Sequence, residues 1–149
     1  MAATVATLLA GAWSDRVGRR REFIAVGYIL WGATTAAFGL VDVEIAATLL
    51  PAFDAVMVAI VGIIILDCVM SALGATANDA AFNAWVTDST QVGNRGKVDG
   101  LLATMPLLAM LVVFGALDPL TQNGQWLTFF SIIGGVTALV GVVALFGLR

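Results

Sequence analysis

Several stretches of this chain are long enough and apolar enough to cross a lipid bilayer, and any fold has to accommodate them. Phe23–Val41, Leu101–Leu117 and Trp126–Leu148 contain no charged residue, and Ala55–Val86 contains only Asp67 and Asp79. A helix needs about 20 such residues to span the hydrocarbon. Backbone polar groups at that depth must pair internally, so each stretch is a helix rather than a strand. The period-two alternation of a membrane barrel is absent. Of 149 residues, 60% are hydrophobic and 11% charged, too little polarity to clothe a soluble globule, where charged residues make up about 25%. The fold expected is an all-α membrane protein, a polytopic helical bundle in contact with the lipid bilayer.

Charge then orients the chain. Arg16, Arg19, Arg20 and Arg21 cluster in 13–22, Arg95 and Lys97 in 87–100, and Arg149 ends the sequence. The connections 42–54 and 118–125 carry Asp42, Glu44, Asp54 and Asp118 but no Lys or Arg. The positive-inside rule places 13–22, 87–100 and the C-terminus in the cytoplasm, as expected of a multi-pass protein of the plasma (cytoplasmic) membrane. Residues 1–12 are too short to span and lack the charged start of a signal peptide. Small residues (Gly32 with Ala36, Ala33 with Ala37, Gly134, Gly135 and Gly141) favour close helix contact in lipid.

The stretch 55–86 would rise about 48 Å as an α-helix, more than the roughly 30 Å of hydrocarbon. It either tilts or projects one or two turns into the cytoplasm, and projection is the expectation because Asn83, Thr87 and Asp88 continue the polar trend toward that side. The chain has no histidine and one cysteine, Cys68, which excludes a zinc site, a disulfide framework and histidine-based nucleophilic catalysis. Cys68 itself is expected as a small buried hydrophobe. Gly93–Gly96 lacks the spacing of a phosphate loop. No enzyme activity, cofactor, metal or nucleic-acid partner is expected.

The loop Gly11-Ala-Trp-Ser-Asp15-Arg16-Val-Gly18-Arg19-Arg20-Arg21 sets a carboxylate among guanidinium groups at a tight turn. Arginine can grip a carboxylate or a helix C-terminus through two bonds at once. On physics alone the cluster is either a topogenic signal or an electrostatic latch. Gly11, Asp15, Arg16, Gly18, Arg19 and Arg20 match the Gly-x-x-x-Asp-Arg-x-Gly-Arg-Arg signature, and the chain on that basis resembles the major facilitator superfamily. The resemblance implies that the loop is a latch on the cytoplasmic side. It further implies that 1–12 is the end of helix 2, and that 23–41, 55–86, 101–117 and 126–148 are helices 3 to 6. The chain would then be part of the N-terminal six-helix half, with the C-terminal half of the transporter missing from it. Asp88 and Arg95 are candidate charge partners across the two cytoplasmic loops.

Carboxylates at bilayer depth cost about 2.5–3.5 kcal/mol on insertion scales and persist where they face a cavity or a partner. At 3.6 residues per turn, Asp67, Ser71, Gly74, Asn78 and Trp85 share roughly a 60° wedge. Thr76, Asp79 and Asn83 fall on another face. The two aspartates are then about 120° and ~18 Å apart, too far to share one ion. Each is a candidate for coupling to Na+ or H+, or for simple helix adhesion. Tyr28, Trp31 and Thr35 share one face of their helix and are candidates for the substrate path, with packing on lipid or on 126–148 as the alternative.

Asp79-Ala-Ala-Phe-Asn-Ala-Trp-Val-Thr-Asp-Ser-Thr90, followed by Arg95, is similar to the helix 4 region of glycoside–pentoside–hexuronide cation symporters. That resemblance implies cation binding at Asp79, with Asn78 and Asn83 nearby. Gly18-Arg-Arg-Arg-Glu-Phe-Ile24 also resembles the corresponding loop of sucrose–proton symporters, with Glu22 in place of proline. The helix 4 arginine and the glycine set of helix 5 that mark proton-coupled drug antiporters are absent. The function these features imply is transport of a small-molecule substrate by alternating access, as cation- or proton-coupled symport. The alternative is a non-transporting membrane scaffold or assembly subunit that uses its small-residue faces.

Overall fold

Among the described residues, the four long apolar stretches are helical. The computed structural model describes residues 20–147, and four helical spans cross them: Arg21–Leu40, Ala55–Ser89, Val92–Gln122 and Trp126–Gly147. The first is α1 (Arg20–Ala37), drawn out by a 3-10 turn at Phe38–Leu40. Its threonines satisfy their hydroxyls within the helix, Thr35 donating to the Trp31 carbonyl at 2.8 Å and Thr34 to the same carbonyl at 2.9 Å. Back-bonding of this kind lets polar side chains sit in lipid without orphaned donors.

The connection that follows is itself partly helical. Asp42 caps α2 (Val43–Leu49), its carboxylate accepting the Glu44 amide at 3.0 Å. Asp54 does the same for α3 (Ala55–Gly74), accepting from the Met57 amide at 2.9 Å. Carboxylates at these positions satisfy amides that no preceding turn can reach, and they complement the helix dipole. Beyond Gly74 the helix widens into a π-helical turn, Ala75–Phe82, and then resumes as α4 (Asn83–Ser89). The second span is thus continuous from Ala55 to Ser89.

The break on the far side is shorter than hydropathy marks it. Thr87–Ser89 are still helical, Val92–Asn94 form a 3-10 turn, and α5 starts at Arg95 and runs to Val112 with Pro106 inside it. Hydropathy follows the length that tolerates lipid, whereas the hydrogen-bond ladder continues through Arg95-Gly-Lys-Val-Asp into water. A second π turn, Val113–Leu117, leads to α6 (Asp118–Gln122), and Gly124 turns the chain at φ 70° into α7 (Trp126–Gly147). That left-handed conformation strains any residue with a Cβ.

α1 packs most extensively on α7, and next on the π turn and α3. The α1–α7 seam is built of glycine and alanine. A Cβ at Gly134 would press on the Gly32 carbonyl and lie 2.8 Å from the Ala36 amide. A Cβ at Gly141 would lie 2.7 Å from the Ala25 carbonyl, and one at Gly39 2.7 Å from the Leu127 Cα. Backbones approach this closely only where side chains vanish, and dispersion then acts over the whole seam. Phe38 and Phe130 close its end with stacked rings 5.7 Å apart. Gly135, beside Gly134 in sequence, faces open space.

Most buried positions are small, including Ala25, Ala46, Ala59, Ala75, Ala77 and Ala81, with Ile24 the largest side chain fully enclosed, while Leu111 and Phe146 are 71% and 82% exposed. Large apolar side chains pointing outward are what a lipid solvent permits, because it exerts no hydrophobic push between helices. α5 buries none of its residues. An apolar groove of about 640 Å³ separates it from α7, with Leu108, Val112, Ile133 and Val136 among its walls.

Candidate functional site

The polar residues of the second span gather where its helix is widest. In a π turn each carbonyl reaches five residues ahead rather than four, and such turns occur frequently at functional sites. The turn Ala75–Phe82 contains both Asn78 and Asp79. It is pressed against α1 at Gly27, where a Cβ would lie 2.6 Å from the Ala77 Cβ. One turn further along α1, the Trp31 indole covers Gly74, whose absent Cβ would sit 3.2 Å from the ring. Glycine on either helix therefore sets the distance at which the two spans meet.

That distance brings Tyr28 to Asn78. The phenol donates to the Asn78 Oδ1 at 2.9 Å, and the Asn78 Nδ2 donates to the Asp79 Oδ1 at 3.1 Å. Tyr28 also lies beside Trp31, with ring centroids 5.5 Å apart. Trp31, Met70, Ser71, Gly74, Asn78 and Asp79 line an open cavity of about 290 Å³. This volume is at the lower end of the range for small-molecule sites. Its walls combine an indole face, a thioether, a hydroxyl, an amide and a carboxylate.

The arrangement corrects one expectation. An ideal α-helix places Asp79 on a different face from Ser71, Gly74 and Asn78, yet Asp79 lines the same cavity as those three. The wider turn changes the angular step per residue, which a 3.6-residue period cannot anticipate. Asn83 does not reach the carboxylate; its Nδ2 donates to the Asp79 backbone carbonyl at 3.4 Å. Asp67 is exposed and is not part of the cavity wall. Cys68 is likewise exposed rather than buried.

Among the substrate-path candidates, Tyr28 and Trp31 face the second span rather than α7. Thr35 is buried, its hydroxyl spent on its own helix. Toward the basic end, the Arg95 guanidinium donates to the Thr87 carbonyl at 3.1 Å, tying α5 to the last turn of the second span. Of the latch candidates, Gly11, Asp15, Arg16, Gly18 and Arg19 lie outside the described residues, and Arg20 opens α1. Among the described residues no three or more Cys, Asp or Glu side chains converge as a metal site would require.

The sequence pairs Asn78 with Asp79 and sets Tyr28 apart as a substrate-path candidate, and it does not show the bonds joining them. No single-chain signal carries the register between two spans. Gly27 and Gly74 set how closely the two spans approach. A family model described as Major Facilitator Superfamily matches residues 1–149. No curated protein and no solved structure matches the chain.

Proposed function

The chain belongs to the major facilitator superfamily, and on that premise we propose that it contributes to secondary active transport of a small solute by alternating access. The superfamily is one of membrane transporters rather than enzymes, and the four apolar spans accord with it. In this reading the spans are helices 3 to 6 of an N-terminal six-helix half, which rocks against a second half around a midplane site. The basic loops face the cytoplasm of a plasma-membrane protein. Asp15, Arg16, Arg19 and Arg20 form the gate latch, with Asp88 and Arg95 as their candidate charge partners. Asp79 binds the coupling cation, Na+ or H+.

The observation that carries the reading is the cavity beside the π turn. An aspartate in a membrane span borders open space there and accepts a hydrogen bond from the Asn78 amide. Intramembrane carboxylates that face cavities mark ion and proton pathways. The walls also hold an aromatic face and polar groups able to orient a small solute.

The test uses the native polypeptide in liposomes, with uptake from a panel of labelled solutes. Asp79→Asn is expected to abolish accumulation driven by a proton or sodium gradient while solute exchange across the membrane continues. Asp15→Asn is expected to slow both at unchanged protein level. Full gradient-driven accumulation by Asp79→Asn refutes the assignment.

A further inference from the structure

We propose that the cavity beside the π turn takes a small organic ammonium, its charge held between the Asp79 carboxylate and the Trp31 indole. The proposal rests on the reading that this cavity is part of the solute path, and it names the class of solute. It requires no particular coupling ion; Asp79 holds one cation at a time, the solute's or the coupling one.

Charge narrows the solute first. Residues 22–94, from the first turn of α1 through the whole second span, contain no Lys or Arg. Arg21 precedes Trp31 by ten residues, about 15 Å of helix, and Arg95 is tied to the Thr87 carbonyl, eight residues beyond Asp79. The charge on the cavity wall is the Asp79 carboxylate. An anion here would meet a like charge with no opposite one to offset it, at a depth where uncompensated charge is costly. A cation meets its counterpart.

The unspent hydrogen-bonding capacity of the wall points the same way. As a carboxylate, Asp79 offers about four lone-pair positions, and the Asn78 amide takes one of them. The Asn78 oxygen is engaged by the Tyr28 hydroxyl, whose proton is spent on it. The donors left to a solute are the Ser71 hydroxyl and the second hydrogen of the Asn78 amide. A polyol, each of whose hydroxyls both donates and accepts, finds this wall short of donors. An ammonium asks only for acceptors or negative charge, and for an aromatic face.

The widened helix lets one cation meet both. A π hydrogen bond spans five residues, so Asp79 stands about one turn above Gly74, five positions earlier. The Trp31 indole lies on Gly74, 3.2 Å from where a Cβ would be. One turn is roughly 5 Å of rise, and an indole attracts a cation within about 6 Å of its ring centre. Glycine at 74 brings the ring down onto the span, and a larger side chain there would lift it from the carboxylate. Met70 adds a polarizable thioether to the same wall, in a cavity of about 290 Å³.

Ligand-observed NMR of the 149-residue chain in uncharged maltoside micelles tests this. The probes are choline and its uncharged carbon isostere, 3,3-dimethylbutan-1-ol, which share a shape and differ in charge. Saturation transferred from the chain to the methyl protons of each gives its dissociation constant, with empty micelles as the blank. Choline is expected to bind at least about tenfold more tightly than the isostere. Asp79→Asn, which keeps an acceptor for the Asn78 amide, and Trp31→Leu should each bring that ratio to about threefold or less. Asp67→Asn, outside the cavity, should leave it unchanged. Equal binding of the two probes, or binding of neither, overturns the ammonium class, as does a preference that survives Asp79→Asn or is lost in Asp67→Asn. If gradient-driven accumulation needs Asp79 but the preference for choline is absent, the solute class falls and the coupling reading stands. If the preference depends on Asp79 and Trp31 while accumulation survives Asp79→Asn, the coupling reading falls and the solute class stands.

Discussion

Two adjacent glycines should respond in opposite directions to the same added methyl group. Gly134 and Gly135 both lie inside α7. Glycine in a helix interior is about 1 kcal/mol less favourable than alanine, so each Gly→Ala change starts with that gain. At Gly135 nothing lies within 4 Å of the new carbon, and the gain is kept. At Gly134 the carbon meets the Gly32 carbonyl, the Ala36 amide nitrogen at 2.8 Å and the Ala36 Cβ at 3.0 Å. Ordinary contact needs about 3.5 Å or more, so α1 and α7 must separate by at least about 0.7 Å, the Gly32 carbonyl being closer still. Backbone atoms cannot rotate away as a side chain would. Overpacking costs about 1–3 kcal/mol, and a gap of that size forfeits a quarter or more of each dispersion contact along the seam. The net expectation is a loss of about 2 kcal/mol for Gly134→Ala against a gain of up to about 1 kcal/mol for Gly135→Ala. Unfolding of the chain in mixed micelles by rising SDS, followed by near-ultraviolet circular dichroism, measures both. Equal midpoints for the two variants would refute the seam as described.

Two further outcomes follow from single residues. Asp54→Ala removes the acceptor for the Met57 amide at the start of α3 and should cost about 1 kcal/mol in the same unfolding assay, with faster amide exchange confined to that first turn; an unchanged midpoint would show the cap to be idle. Cys68, the only cysteine and exposed within a span, should react with a lipid-soluble maleimide and resist a charged one. The reverse selectivity would place that side of α3 against water.

The spans were legible because hydrophobic length is a one-dimensional property. Among the described residues, four helices are long and apolar enough to cross a membrane. The helical character of Val43–Leu49 and of Arg95–Asp99 was not legible, since polar residues in water form helices or turns with nearly equal ease. The candidate site was half visible. Asp79 and Asn78 stand out as polar residues in an apolar run, whereas their shared cavity depends on the π turn, which has no periodic signature. Tyr28 meets Asn78 only because Gly27 accepts Ala77 and Gly74 accepts the Trp31 ring. That is a fit between two surfaces, and a sequence lists them separately.

The glycine seam also governs the order in which the molecule can be assembled. Gly32 and Gly134 touch across about a hundred residues of chain, which a ribosome takes about 5–20 s to synthesise. Throughout that interval the first helix is in the bilayer while its principal neighbour does not yet exist. Its glycine-lined groove stays open to lipid tails or to whatever insertion factor stands nearby, and a polypeptide arrested before Trp126 lacks the helix that fills it.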